Sequence, residues 1–238
     1  MFKFFSFSNV YPLIQKIIKL INSIFFLILA IGLTFALVLS PPDYLQGDAV
    51  RIMYVHVPSA WIGLACFSVI TLLSILNFIF KIKNFYFINK SIAPIGLLFT
   101  CLAIITGSLW GQPTWGTWWA WDARLTSMIV LMFFYVFYIL TFKLLNEEEL
   151  IVKVSSIIAI VGSINLPIIK YSVEWWTTLH QPASIKITGS NSIHSEMMLP
   201  LMVMLLVFLL YAALIFLMKY KTEIIRIKKK TLKRNKQT

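Results

Sequence analysis

Six long apolar segments separated by short polar stretches run along the 238-residue chain. A helix needs about 20 mainly apolar residues to cross a bilayer. We therefore predict membrane-spanning helices at residues 21–40, 60–80, 92–110, 125–142, 154–169 and 197–218. The fifth is the weakest, because it is short, carries several serines and has Pro167 near its end. The pattern predicts an all-α integral membrane protein, with residues 1–238 forming a single six-helix membrane domain.

Composition supports this fold class. Hydrophobic residues make up 59% of the chain and charged residues only 13%, whereas a soluble domain is about half apolar and about a quarter charged. The formal net charge of +12 could indicate nucleic acid. The basic residues are not interleaved with aromatic ones on a soluble domain, however, and nine of them crowd residues 219–236. We expect no nucleic-acid partner and expect anionic lipid beside this segment.

The basic residues also predict the orientation. With six spans both termini lie on one side, and 17 of the 21 Lys and Arg residues then fall on that side. Basic loops stay in the cytoplasm or the matrix, so both termini are predicted there, with residues 220–238 as a basic cytoplasmic tail. Omitting the fifth span would place this tail outside. We therefore keep the fifth span.

Few motifs for chemistry occur. Cys66 and Cys101 sit alone in apolar runs without a CxxC or CxxCH spacing, so neither a redox motif nor covalent cofactor attachment is encoded. There is no P-loop, GxGxxG, HExxH or Ser/His/Asp arrangement. We predict that the protein is not an enzyme.

The tryptophans are distributed unevenly. All eight lie at or beyond the predicted outer ends of the spans, and four fall in the predicted outer loop at residues 111–124. An interfacial aromatic belt would have two sides, whereas the inner edge has no tryptophan. Clustered indoles form a flat apolar surface suited to a large planar ligand. We call the four loop residues the tryptophan platform: Trp115, Trp118, Trp119 and Trp121.

Charged residues and histidines lie close to this platform. Asp122 and Arg124 could pair with each other, cap the fourth span, or anchor it at the headgroups. His56 in the first outer loop and His180 in the third each precede a proline by one intervening residue. Two neutral imidazoles facing each other across a planar ligand could bind a haem iron from opposite sides. By spacing alone, His194 competes for either place.

The stretch "WGTWWAWDARLT" resembles the WWD region of haem-handling proteins of cytochrome c biogenesis. Together with "RIMYVHVPSAW" and "EWWTTLHQPASI", it resembles the six-span CcmC family in particular, because the larger synthetase relatives have many more spans. The resemblance implies that His56 and His180 are axial ligands of haem b. It further implies that the tryptophan platform and Asp122 hold the macrocycle, and that His194 has neither role.

The resemblance also implies a place in a pathway. Proteins of this family hold haem at the outer face of the membrane and deliver it to the haem chaperone CcmE. CcmD and the ABC module CcmA/CcmB then release the loaded chaperone. The implied location is the bacterial inner membrane or, alternatively, the mitochondrial inner membrane.

Two other functions remain open at this point. A b-type cytochrome would also bind haem through histidines, but it normally places them within helices, and no histidine falls inside a predicted span. A permease for another substrate would fit the hydropathy, but it needs polar groups near the membrane midplane and leaves the one-sided tryptophans unexplained.

Overall fold

The computed structural model describes residues 7–182, 185 and 193–235. The described helices form six spans, because α5 and α6 together make one. Each span is long and apolar enough to cross a membrane. The predicted all-α membrane fold with six spans is confirmed. The helices are α1 (Phe7–Thr34), α2 (Met53–Phe80), α3 (Lys83–Trp115), α4 (Ala123–Leu144), α5 (Glu148–Ser163), α6 (Asn165–Trp175) and α7 (Ser195–Asn235).

Several helices extend beyond the predicted spans. Helix α2 begins at Met53 rather than at residue 60, and α3 continues to Trp115 rather than ending at residue 110. Hydropathy detects only the part of a helix in the hydrocarbon region, whereas backbone hydrogen bonding continues through the interface. As a result His56 lies in the first turn of α2 and not in a loop. The prediction that no histidine lies in a span, which was the argument against a b-type cytochrome, was therefore wrong.

The fifth span consists of two helices that meet at Ile164. Helix α6 begins directly afterwards, so Pro167 lies in its first turn, where a missing backbone N–H is tolerated. The buried side chain of Asn165 donates to the backbone oxygen of Ser127 in α4 at 2.8 Å. The polar residues that weaken this segment as a predicted span thus include one that fastens it to its neighbour, as polar side chains commonly do inside membrane bundles.

The core of the bundle lies between α2, α3, α4, α5 and α6. Helices α2 and α3 form the most extensive pair. Between them the buried hydroxyl of Tyr135 donates to the backbone oxygen of Gly63 at 2.7 Å. A Cβ atom at Gly96 would lie 2.1 Å from the same hydroxyl, so this contact between α3 and α4 requires glycine. These contacts fix the helices whose ends carry the candidate site.

Helices α1 and α7 pack against each other on one side of the bundle. At the end opposite the basic tail, which we call the outer end, Arg51 donates to the backbone oxygen of Ala36 at 3.2 Å. At the inner end Glu223 forms ion pairs with Lys90 at 3.1 Å and with Arg226 at 2.7 Å. The 41-residue helix α7 is therefore held to α3 near its basic end.

Candidate functional site

A cavity opens at the outer end, between the start of α2, the end of α3, the start of α4 and the end of α6. It encloses about 840 Å³, a volume that includes its opening to solvent. Apolar side chains form its deep part, including Leu64, Met128 and Ile169. Its outer part carries the imidazoles of His56 and His180, three indoles and one guanidinium.

The two histidines face each other in this cavity. The ring centres of His56 and His180 are 6.5 Å apart, and the ring planes are inclined by 35°. His56 comes from the first turn of α2, whereas His180 comes from the segment that follows α6. Residues separated by more than a hundred positions are thus brought together, as the interpretation of a shared ligand requires.

The protonation of the His56 ring is set by α3. Its Nδ1 atom lies 3.0 Å from the backbone oxygen of Ala103 and 3.2 Å from the hydroxyl of Thr106. Because a carbonyl oxygen can only accept, Nδ1 carries the hydrogen and donates it. The Nε2 atom keeps its lone pair and is available to a metal, the arrangement that a backbone partner commonly imposes on a ligating histidine.

A glycine lets the His56 ring lie against α3. A Cβ atom at Gly107 would lie 2.9 Å from Cε1 of His56 and 3.3 Å from Nδ1. Any larger residue at this position would push the imidazole away from its hydrogen-bond partner on the same helix. The fit of the ring therefore depends on the absence of a side chain one turn beyond Ala103.

The His180 ring is oriented by the backbone next to it. Its Nδ1 atom lies 2.8 Å from the backbone oxygen of Gln181, so here too Nδ1 donates and Nε2 is left with a lone pair. Burial lowers the pKa of His180, and the nearby charge of Arg124 lowers it further. The imidazole is therefore neutral at neutral pH, which is the form that binds metals.

Asp122 links the loop that carries the tryptophans to the segment that carries His180. One carboxylate oxygen accepts the backbone N–H of Leu125 at 2.8 Å and caps α4. The other accepts the backbone N–H of Leu179 at 3.2 Å. Of the alternatives for Asp122 and Arg124, capping is therefore observed. The ion pairs found among the described residues do not include one between these two side chains.

The predicted tryptophan platform is divided. Trp115 and Trp119 line the cavity, and the Trp115 ring centre lies 6.1 Å from that of His180. Trp118 and Trp121 do not line it and are 58% and 79% exposed. The chain turns at Gly116, whose φ of +75° favours glycine. The hydroxyl of Ser108 then donates to the backbone oxygen of Trp118 at 2.7 Å and holds the loop against α3.

Three cavity residues were missed by the sequence reasoning. The Trp110 ring meets that of His56 edge-on, with centres 5.7 Å apart and planes at 71°. Its indole N–H donates to the side-chain oxygen of Gln46 at 2.8 Å. Arg124, considered only as a partner or an anchor, lines the cavity. The sequence could have indicated Trp110, since it is another tryptophan at an outer helix end. Nothing in the sequence pointed to Gln46.

His194 lies outside this arrangement. It is exposed immediately before α7, and its Nδ1 atom accepts the backbone N–H of Glu196 at 3.4 Å. It does not line the cavity. The spacing that made it a competitor of His56 and His180 is thus not reflected in the fold.

Comparison with known proteins gives the family. Residues 1–235 match the family model described as Heme exporter protein C, CcmC. The chain belongs to this family. It is 40% identical over 206 residues to Heme exporter protein C of Bradyrhizobium diazoefficiens, covering 87% of this chain and 78% of the relative. It is 38% identical over 203 residues to Heme exporter protein C of Escherichia coli K12, covering 85% and 82%.

A mitochondrial relative is similarly close. The chain is 42% identical over 188 residues to a putative cytochrome c biosynthesis ccmC-like mitochondrial protein of Marchantia polymorpha, covering 79% of this chain and 77% of the relative. The predicted resemblance to the CcmC family is confirmed. Bacterial and mitochondrial relatives, together with six membrane-spanning helices, fit the predicted multi-pass protein of an inner membrane.

Proposed function

We propose that the protein handles haem for the maturation of c-type cytochromes and holds it in the outer cavity between His56 and His180. The spacing of the two rings carries this proposal. A metal–nitrogen bond to imidazole is about 2 Å long, so two axial imidazoles place their ring centres roughly 6 Å apart. The observed 6.5 Å is close to this value. Among the described residues, both rings make their hydrogen bonds through Nδ1, which leaves Nε2 available as a ligand.

The donor set favours haem over a bare metal ion. No group of three or more His, Cys, Asp or Glu side chains suited to a metal occurs within the described part of the chain. Two imidazoles alone leave a metal ion under-coordinated, whereas haem supplies four equatorial nitrogens of its own and needs only axial ligands. Without a CxxCH motif the haem would be held by coordination and packing, as haem b is.

The rest of the cavity suits the macrocycle. Trp115 and Trp119 offer flat apolar surfaces on its wall. The buried indole N–H of Trp119 has no acceptor among the described residues, and a polar group on a ligand would supply one. We assign Trp118 and Trp121 to the rim and not to the stacking surface. Asp122 acts indirectly, by holding the two loops together.

Arg124 is the counter-charge that we propose for haem. It lines the cavity, and the ion pairs of the described residues leave it without a carboxylate partner. Haem carries two propionate groups, and a guanidinium binds a carboxylate through two parallel hydrogen bonds. An arginine in the wall of a mainly apolar cavity would therefore orient the macrocycle with its carboxylates toward this side chain.

We further propose that the haem passes to the chaperone CcmE, with CcmD and the module CcmA/CcmB acting on the loaded chaperone. This assignment rests on family membership. An opening to solvent at the outer end supports it, because a receiving protein must reach an edge of the macrocycle. The role requires binding and release and no catalytic residue of this chain.

A b-type cytochrome remains the second candidate, because His56 lies in a helix. Haem chains that conduct electrons across a membrane need sites at more than one depth, whereas the described histidines form one facing pair at the outer end. Haem transfer to purified CcmE separates the two functions. Reduction of the bound haem by a quinol without transfer would favour the cytochrome.

The test of haem binding uses the purified full chain in detergent and an absorbance titration with hemin. The parent should give a low-spin spectrum with two nitrogen ligands. His56→Ala and His180→Ala should each lose this spectrum, and His194→Ala is the matched control that should keep it. Equal damage in all three variants, or a parent that binds no hemin, would contradict the assignment.

A further inference from the structure

The first outer loop contributes one side chain to the cavity. Gln46 lines the rim, while its neighbours Tyr44 and Leu45 are 91% and 78% exposed. The loop is a tight turn, because one carboxylate oxygen of Asp43 accepts the backbone N–H groups of both Leu45 and Gln46 at 2.9 Å. Asp43 and Gly47 also exchange backbone hydrogen bonds. The turn therefore fixes the direction in which the Gln46 side chain leaves the backbone.

The Gln46 side chain ends on Trp110. Its oxygen accepts the indole N–H at 2.8 Å, and the indole meets the His56 ring edge-on. The far side of Trp110 packs on the cluster that includes Met53 and Tyr54 at the start of α2. The hydrogen bond to Gln46 thus fixes the edge of the indole opposite this packing, in the orientation in which the ring meets the imidazole.

We propose that Gln46 is a positioning residue for iron ligation, and that it holds the His56 imidazole in its ligating orientation by fixing the indole of Trp110. The inference rests on the proposed binding of haem by His56. The contacts with Ala103 and Thr106 both hold the same atom of the imidazole, Nδ1, and leave the rest of the ring to be positioned by packing. Trp110 provides this lateral support, and Gln46 keeps Trp110 in place.

The first test compares Gln46→Ala with a matched control. Gln112→Ala makes the same chemical change in an exposed residue of α3 that does not line the cavity. Hemin-loaded full-length protein is mixed with excess apomyoglobin, and the rate of haem loss is recorded. Gln46→Ala should lose haem about fivefold faster, the order expected for one neutral hydrogen bond, and should show a larger high-spin fraction. Gln112→Ala should match the parent.

A double-mutant cycle tests whether Gln46 acts through the indole. Trp110→Phe keeps an aromatic ring but removes the N–H donor. If the proposal is right, adding Gln46→Ala to Trp110→Phe causes no further increase in the rate of haem loss, because the hydrogen bond is already gone. Independent, multiplying effects would overturn it, as would an unchanged rate and spectrum in Gln46→Ala.

The outcomes separate this inference from the haem function itself. Loss of the low-spin spectrum in His56→Ala, together with parental behaviour in Gln46→Ala, would reject the positioning role alone. A parental spectrum in His56→Ala would reject the proposed function. Size-exclusion elution and helical circular dichroism of each variant show whether it has folded, and Trp110→Phe provides an independent reading if Gln46→Ala fails to fold.

Discussion

The backbone N–H of Leu179 donates to the Asp122 carboxylate at 3.2 Å, across 57 positions of the chain. Through this bond the segment that presents His180 is tied to the loop that presents Trp119. The same carboxylate caps α4. The Asp122 side chain thus connects the start of α4 and the tryptophan-rich loop with the segment that carries His180.

The two functions of Asp122 can be separated by substitution. Asparagine is as good an N-cap as aspartate, but its NH₂ group replaces one carboxylate oxygen. Because Leu125 and Leu179 donate to different oxygens of Asp122, asparagine cannot accept from both in this geometry. Asp122→Asn should therefore unfold near the parental temperature yet retain haem less well. Asp122→Ala should lose both properties, with about 1 kcal/mol less stability from the missing cap. Thermal unfolding and hemin titration measure the two effects, and parental haem retention in Asp122→Asn would contradict the coupling.

The division of the tryptophan platform predicts unequal effects. Trp115→Ala and Trp119→Ala should each weaken haem retention by roughly two- to tenfold, from the loss of aromatic contact in the cavity. Trp118→Ala and Trp121→Ala remove the same side chain from exposed positions and serve as matched controls, with little effect on retention. Haem loss to apomyoglobin provides the measurement. Equal losses at all four positions would indicate that all four tryptophans contact the haem, as the sequence predicted.

The proposed role of Arg124 is tested by changing the ligand as well as the protein. Arg124→Gln should weaken hemin binding by about tenfold, as expected for a charge-assisted hydrogen bond. The dimethyl ester of hemin lacks the carboxylate charges, so the parent and the variant should bind it equally. Lys170→Gln, an equivalent loss of charge outside the cavity lining, is the control. A variant that loses the ester as strongly as hemin would show that Arg124 acts on structure.

Gly107 should tolerate no side chain. Gly107→Ala places a methyl group against the His56 ring, which should displace the imidazole from Ala103 and reduce haem affinity by about tenfold or more, as loss of a supporting partner does at metal sites. Gly32→Ala is the control, because the Cβ atom there would also make close contacts, at 3.0 Å from Met204 and Val207, but with side chains that do not line the cavity. Hemin titration compares them, and parental affinity in Gly107→Ala would contradict the tight fit.

The orientation of the chain is still a prediction and can be tested by labelling. In a background without Cys66 and Cys101, cysteine is introduced at Tyr44 in the first outer loop or at Lys228 near the end of α7. An impermeant maleimide should label Tyr44→Cys in intact cells and Lys228→Cys only after lysis, as the distribution of basic residues requires. The reverse pattern would invert the topology.

The spans were predictable because hydropathy measures the partition of each segment into lipid. The directions in which side chains point were not predictable from the sequence. Trp118 and Trp119 are adjacent in an aromatic loop, yet only Trp119 lines the cavity. Their directions depend on the turn at Gly116 and on the hydrogen bond from Ser108, both tertiary details. The extra helical turn that includes His56 lies beyond the apolar segment, where hydropathy carries no information.

Gln46 illustrates the same limit more strongly. It stands in a polar loop where a glutamine is unremarkable, and only the approach of Trp110 from α3 makes its oxygen relevant to the cavity. The pairing of His56 with His180, in contrast, was expected from the family resemblance, and the fold brings the two rings together.

The length of α7 has a mechanical consequence. At about 1.5 Å per residue, 41 helical residues span roughly 60 Å, twice the thickness of a hydrocarbon core. The helix therefore continues well past the bilayer as a stiff arm. Because the arm is continuous with the transmembrane part, and Glu223 pairs it with Lys90 of α3 at the inner end, the bundle sets the direction in which the charged tip leaves the membrane.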